Sequence, residues 1–353
     1  MRGKGICYDS GFLNRGVSTR FSFVPEIVKR EMRIIRDDLH CTAVRITGGD
    51  VERLKVAATY AAKAGLEVWI SPFTTELTDD QLLAFLADCA EHAEKLRQHG
   101  AEVVMVTGSE LSVFNQGFLP GETFEKRLST LATHPQRREL MAAVPPRIND
   151  FLRQAAQVVR RRFGGKVTYA SIHFEKVDWT PFDFVATDSA YRTRENAAAY
   201  RDSIRALVAQ GKPVAIMEFG CAKYRGAADR GGHSQEIVEW DLATVTPLRL
   251  TGDFDRDETE PARYLREVLD ILHGEGVDTA FWYVFAAYYL PHRTEGGPDL
   301  DMASCGVVKV LEDRFGQTYA DMPWEPTAAF AALADYYLGC GQFIPQPLPA
   351  SFG

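Results

Sequence analysis

Long apolar runs are missing from this sequence. No window approaches the roughly 18 unbroken apolar residues of a transmembrane helix, and the chain opens with Met1-Arg2-Gly3-Lys4-Gly5 and a strand-like run rather than the apolar stretch of a secretory signal. Patterned cysteine is missing too. Cys7, Cys41, Cys89, Cys221, Cys305 and Cys340 are scattered, with no CxxC pair and no metal-ligand spacing, so reduced thiols in a cytoplasmic protein are expected. Excess positive charge is absent: 40 Lys and Arg face 48 Asp and Glu, a formal charge of −8. That balance argues against a nucleic-acid or anionic-membrane surface. The basic run Arg160-Arg161-Arg162 ends a helical pattern, where cations suit the helix dipole. No repeat or linker is visible.

What is present is an ordinary globular composition, 46% hydrophobic and 25% charged over 353 residues. A chain of this length buries roughly 75% of its unfolded surface and needs neither disulfide nor metal to hold a core. One theme repeats along it: a short β-branched or aromatic run, a polar turn, then a segment of helical period. Strand-like runs are Gly5–Asp9, Thr42–Ile46, Glu67–Pro72, Glu102–Thr107, Val167–Ile172, Phe182–Thr187, Pro213–Met217 and Thr279–Phe285. Helices are predicted from Pro25 to about Leu39, from an N-cap at Asp50 to Gly65, and from Thr78 to Gly100. Further helices are predicted over Pro146–Phe163, Asn196–Ala209, Glu260–His273 and Thr327–Leu338. Residues 111–145 show no sustained period, and little room for a helix lies between the fifth and sixth strands.

Eight strands alternating with helices imply a closed barrel or a doubly wound open sheet. The first strand-to-helix turn has no GxGxxG and no glycine-rich phosphate cradle, which decides for a single (β/α)8 barrel over 1–353. The enlarged connections follow the fourth, seventh and eighth strands. In a barrel they gather on the catalytic face, around one mouth.

Polar residues just past the strand ends are then expected to converge there: Asp9, Arg45, Ser109, Glu110, His173, Glu175, Asp188, Tyr191, Glu218 and Trp282. Two carboxylates stand out by placement. Glu110 follows Val103-Val104-Met105-Val106-Thr107-Gly108-Ser109, and Glu218 ends Pro213-Val214-Ala215-Ile216-Met217 ahead of Phe219-Gly220. Each is an ionisable group delivered to the rim by a hydrophobic strand. The residues alone leave other roles open: a rim salt bridge for either glutamate, neutralisation of buried acids for Arg45, packing for Tyr191, and a place in the barrel interior for Trp282.

On Thr107-Gly108-Ser109-Glu110, Ile216-Met217-Glu218-Phe219-Gly220 and Phe281-Trp282-Tyr283-Val284-Phe285, the sequence resembles the superfamily of retaining (β/α)8 glycoside hydrolases often called clan A. The resemblance implies Glu110 as acid/base, Glu218 as nucleophile, and Trp282 in the sugar subsite. Arg45 looks like the arginine that steadies the nucleophile, and Tyr191 like the tyrosine that hydrogen-bonds it. This chemistry needs no cofactor and no metal; the long loops after the fourth, seventh and eighth strands are expected to narrow the mouth and favour a small glycoside, and Asp9, Ser109, His173 and Asp188 at the strand ends are further substrate-binding candidates. Double displacement needs one carboxylate to attack the anomeric carbon and one carboxyl to protonate the leaving oxygen, about 5–5.5 Å away.

The departures are specific. Ser109 stands where the superfamily usually has Asn, whose amide binds the sugar 2-hydroxyl, and the third strand ends in Ser71-Pro72-Phe73 without the histidine of several member families. Two other readings therefore stay open: a barrel of this descent used for a non-sugar small molecule, in natural-product tailoring, defence or binding only, and a metal-dependent barrel in which His173, Asp188 and Glu218 hold a divalent ion.

Overall fold

The computed structural model describes residues 1–339, so Cys340 lies outside the described residues. Eight parallel strands form the barrel: β1 Gly3–Asp9, β2 Ala43–Gly48, β3 Glu67–Pro72, β4 Val103–Ser109, β5 Lys166–Ala170, β6 Val185–Thr187, β7 Val214–Phe219 and β8 Thr279–Trp282. Their spatial order is β5-β4-β3-β2-β1-β8-β7-β6. The circle closes where Ser171 bridges Thr187 in parallel, with Asp188 N donating to Ser171 O at 2.9 Å. This is the (β/α)8 barrel expected from the alternating pattern.

The outer layer contains α1 Pro25–Asp37, α2 Val51–Lys63, α3 Asp79–Gln98, α4 Arg137–Arg160, α5 Ala197–Val208, α6 Thr259–Gly274 and α7 Ala328–Gly339. Local signals start and stop them. Asp50 accepts from Glu52 N and Arg53 N to cap α2, and Thr78 with Gln81 forms a capping box on α3. Between β5 and β6 only a short 3-10 turn, His173–Glu175, intervenes. Among the described residues no helix is long and apolar enough to cross a membrane.

The region 111–145 departs from expectation. It holds helices Leu111–Phe114 and Phe124–Thr133, and α4 begins at Arg137 and runs through Pro145 and Pro146. Proline removes a helical N–H and usually marks a boundary. The carbonyls left over are those of Met141, half-buried, and Ala142, exposed, so the affected turn faces solvent and water can satisfy them. The fifth and eighth strands end short of their apolar runs, where the chain turns out into the rim loops, and the sixth begins late, at Val185.

Trp69 fills the barrel interior against Phe184 and Phe281, with ring centroids 4.9 and 5.1 Å away. The rim loops are tied down by two buried polar knots. In one, Glu31 of α1 accepts from Tyr8 (2.5 Å), Arg20 (2.8 Å), Tyr288 (2.5 Å) and Trp324 (3.0 Å), holding the loops after β1 and β8 to one helix. In the other, Lys223 pairs with Asp301 at 2.6 Å, both buried, while Arg256 bonds Asp299 and Asp301 at 2.7 Å each. Such pairs add little net stability but permit only one arrangement of the loops they join.

Candidate active site

Alternation along a strand sends every second side chain inward. Cys7 and Asp9 of β1, Arg45 and Thr47 of β2, and Ser71 and Phe73 at β3 fall in this inward set, and a register shift that sets Ile216 to Phe219 of β7 against the shorter step Ala280 to Trp282 of β8 brings Glu218 to the same side. Arg45 is the hub. Its guanidinium is fully buried and donates to Asp188 (2.7 and 3.2 Å), Glu218 Oε1 (3.2 Å), Met217 O (2.9 Å), Ser109 Oγ (2.7 Å) and Ser71 Oγ (3.1 Å). Every N–H of the fork is used. The second oxygen of Glu218 accepts from the Tyr191 hydroxyl at 3.1 Å.

Glu110 stands differently. A β-bulge between Val106 and Ser109 and a left-handed backbone at Glu110 itself, φ +46°, turn the chain out of β4. Glu110 N donates to Ala170 O at 3.0 Å, and the next two amides go to Tyr169 Oη (2.9 Å) and Glu175 Oε1 (3.2 Å). Glu175 is buried and also accepts from Ser112 Oγ, Tyr169 Oη and Ile172 N, so it fixes the turn that presents Glu110. Burial raises the Glu175 carboxyl to about 7 against those four donors. The Glu110 carboxylate has no hydrogen-bond partner among the described residues and is half-buried at the mouth.

Three carboxyls, those of Glu110, Asp188 and Glu218, therefore lie in one electrostatic cluster, in which Asp188 and Glu218 share the Arg45 guanidinium and Glu110 is bonded to none of the others. Burial pushes all three above the usual carboxylate range. The charge of Asp188 raises Glu218 further, while Arg45 and Tyr191 pull it back. Glu110 is driven well up by burial and by the charges of Asp188, Glu218 and Glu175, with only Arg45 opposing. Glu218 and Asp188 have donors that favour their charged forms, and Glu110 has none.

The other sequence-predicted residues lie as follows. Asp9 accepts from Gly11 N (2.8 Å) and Thr19 Oγ1 (2.6 Å), so it shapes the loop after β1 while lining the mouth. Ser109 is fully buried beneath the carboxylates with its hydroxyl on Arg45. His173 is exposed and lines a separate hollow with Lys176 and Tyr200, against the outer wall where no helix follows β5. The metal triad of His173, Asp188 and Glu218 is thus not assembled. Among the described residues the one three-membered group close enough to share an ion is His292, Asp299 and Asp301, which Arg256 and Lys223 already neutralise.

Trp282 is a correction. It is fully buried, donates from Nε1 to Cys305 O at 2.9 Å, and packs edge-on against Phe219 and near Tyr264 of α6. No face is left for a sugar. Strand alternation is the reason: with Phe281 inside the barrel, Trp282 points to the helix layer and Tyr283 returns to the mouth. Tyr283 and Tyr289 line the cavity there. The signal was available in Phe281-Trp282-Tyr283, where three consecutive aromatics put the register in doubt.

No family model matches the chain, and no curated protein matches it. Solved structures do. A GH113 β-1,4-mannanase superposes with a TM-score of 0.61 at 16% identity, over 96% of this chain and 99% of that one. A GH113 β-mannanase from Alicyclobacillus acidocaldarius gives 0.59 at 13%, over 96% and 97%. A β-glucuronidase from Parabacteroides merdae gives 0.57 at 13%, over 96% of this chain but 36% of that larger one. This chain is therefore similar in fold, over nearly its whole length, to these mannanases and to part of the glucuronidase, and divergent from them in sequence.

Proposed function

We propose that this chain is a cytoplasmic, cofactor-independent glycoside hydrolase acting on a small glycoside by double displacement. Glu218 is the nucleophile and Glu110 the acid/base. The observation that carries the reading is the asymmetry in hydrogen bonding of the two glutamates: Glu218 accepts from Arg45 and Tyr191, while the Glu110 carboxyl has no hydrogen-bond partner among the described residues. That is the division of labour a retaining hydrolase requires. Glu218 attacks the anomeric carbon as Glu110 gives its proton to the leaving oxygen. Glu110, now ionised, takes a proton from water, and the hydroxide releases the sugar from the glycosyl ester. Barrels of similar fold that include mannanases and a β-glucuronidase support the reaction class without naming the sugar.

A second reading keeps the fold and acidic pocket for a non-sugar small molecule. It is favoured by the burial of Ser109 and Trp282, which removes two expected sugar-recognising groups from the mouth. Intact-protein mass spectrometry after incubation with cyclophellitol-type and 2-fluoroglycoside probes separates the two. An adduct that maps to Glu218 and vanishes in Glu218→Gln supports the hydrolase, and the reactive probe names the sugar. No adduct with any probe turns the choice to the second reading.

A further inference from the structure

At the mouth, over the ends of β1, β2, β3 and β8, lies a cavity of about 480 Å³ whose character is not that of a sugar groove; Asp9, Thr47, Phe73 and Tyr283 line it, and Tyr283 stands in the field of the Glu218 carboxyl. Four phenylalanines from four segments meet on one wall. Phe12 comes from the loop after β1, Phe73 from the end of β3, Phe114 from the helix that starts directly after Glu110, and Phe124 from the next helix. Their rings pack mostly edge to face, with centroids 4.9 Å apart for Phe73 and Phe114, 5.1 Å for Phe12 and Phe73, and 5.3 Å for Phe114 and Phe124. None of the four is fully buried, so each leaves part of its ring to the cavity.

The facing side is apolar as well. Trp240 and Leu242 from the hairpin after β7 stand across from the phenylalanines, with Phe21 at the rim. Leu242 is 63% and Phe21 64% exposed. The Arg15 guanidinium donates to Leu242 O at 2.6 Å and so joins the two loops over the opening. Several polar groups on the wall are engaged within the protein: Thr19 donates to Asp9, the Asn14 amide to Glu125 and Arg53 to Ser18, so that the Tyr283 and Tyr289 hydroxyls are the main polar groups left to a ligand. Glu125 Oε2, which lacks a partner, is shut away from solvent. A sugar unit carries hydroxyls that need partners, and this wall offers few. A flat apolar group needs none.

Resting on the hydrolase reading above, we infer that this cavity is the leaving-group subsite and that the substrate is a glycoside of a flat, apolar alcohol or phenol rather than of a second sugar. The placement follows from the chemistry. Glu110 must reach the leaving oxygen, and the aromatic wall rises from the helix that begins at the residue after it. The volume lies within the ~300–1,000 Å³ of small-molecule sites and suits one or a few fused rings.

The test is equilibrium binding of 2-naphthol and of mannobiose to the Glu218→Gln protein, with and without the paired rim substitutions Leu242→Asp and Phe21→Asp. Both rim residues are exposed, so the fold is retained. Expected are tighter binding of 2-naphthol than of mannobiose and a loss of at least about tenfold in the rim variant, because two carboxylates now border an apolar site. Mannobiose as the tighter ligand, or 2-naphthol binding unmoved by the rim variant, overturns the inference. The two readings fail separately. A Glu218 adduct without a naphthol site refutes the subsite alone, and a naphthol site without any adduct refutes hydrolysis and upholds the apolar chemistry of the cavity.

Discussion

Replacing Asp188 by Asn removes one charge from a buried group of three carboxyls and one guanidinium, and its effect can be worked out from the hydrogen bonds. Asp188 and Glu218 both accept from Arg45 Nη1, at 2.7 and 3.2 Å, so their nearest oxygens lie within about 6 Å of each other. Two unit charges at about that distance repel by about 3 kcal/mol at an effective dielectric of about 20. Both groups are buried, so solvent screening takes little from this figure. Removing the repulsion, and leaving Arg45 to Glu218, lowers the Glu218 pKa by about one to two pH units. The assay is covalent labelling of Glu218 by the reactive probe as a function of pH. Labelling needs the carboxylate, so its acid limb moves to lower pH in Asp188→Asn. The stability profile moves with it. Glu218 is raised in the folded state, so the wild type holds its full contribution below the ordinary carboxylate range and loses stability as pH rises through the folded value. That loss is smaller in Asp188→Asn, so its melting temperature relative to wild type improves between acid and mildly alkaline pH. An unmoved or alkaline-shifted limb would refute the electrostatic account and leave Asp188 as a clamp on the Arg45 fork.

Tyr191→Phe removes one of two donors to Glu218. Labelling at fixed neutral pH is expected to slow about three- to tenfold for a loss of about 1 kcal/mol, and urea unfolding to change little. Tyr283→Ala should weaken binding of the active-site ligand at least about tenfold, while Trp282→Phe lowers the melting temperature and leaves affinity near wild type; the reverse pattern would return Trp282 to the mouth. Asp301→Ala strands the Lys223 ammonium in a buried site and costs about 3–5 kcal/mol in urea unfolding. The double variant Lys223→Met/Asp301→Leu should recover most of that loss, and a single variant as stable as wild type would show that the pair is not shielded as described.

The alternation of short apolar runs with helical periods was enough to specify the barrel, because strand and helix periods are local properties of the chain and a closed parallel sheet is a consistent way to bury them. The strand-end position of Glu110 and Glu218 was legible for the same reason: a hydrophobic run determines where its last polar residue emerges. Capping chemistry at Asp50 and Thr78 was equally local. Other features depended on partners distant in sequence. Pro145 and Pro146 read as a boundary, yet α4 passes through them because that turn meets water. Ser109 read as a shortened sugar ligand, yet its hydroxyl is engaged by Arg45, 64 residues away. Trp282 read as a platform, but the register of β8 against β1 and β7 turned it outward and put Tyr283 at the mouth. The apolar cavity was invisible for the strongest reason: Phe12, Phe73, Phe114 and Phe124 share no motif, and only closure of the barrel brings their loops to one wall. Local periodicity therefore determined the scaffold and the placing of the two glutamates, and long-range register and loop packing decided what surrounds them.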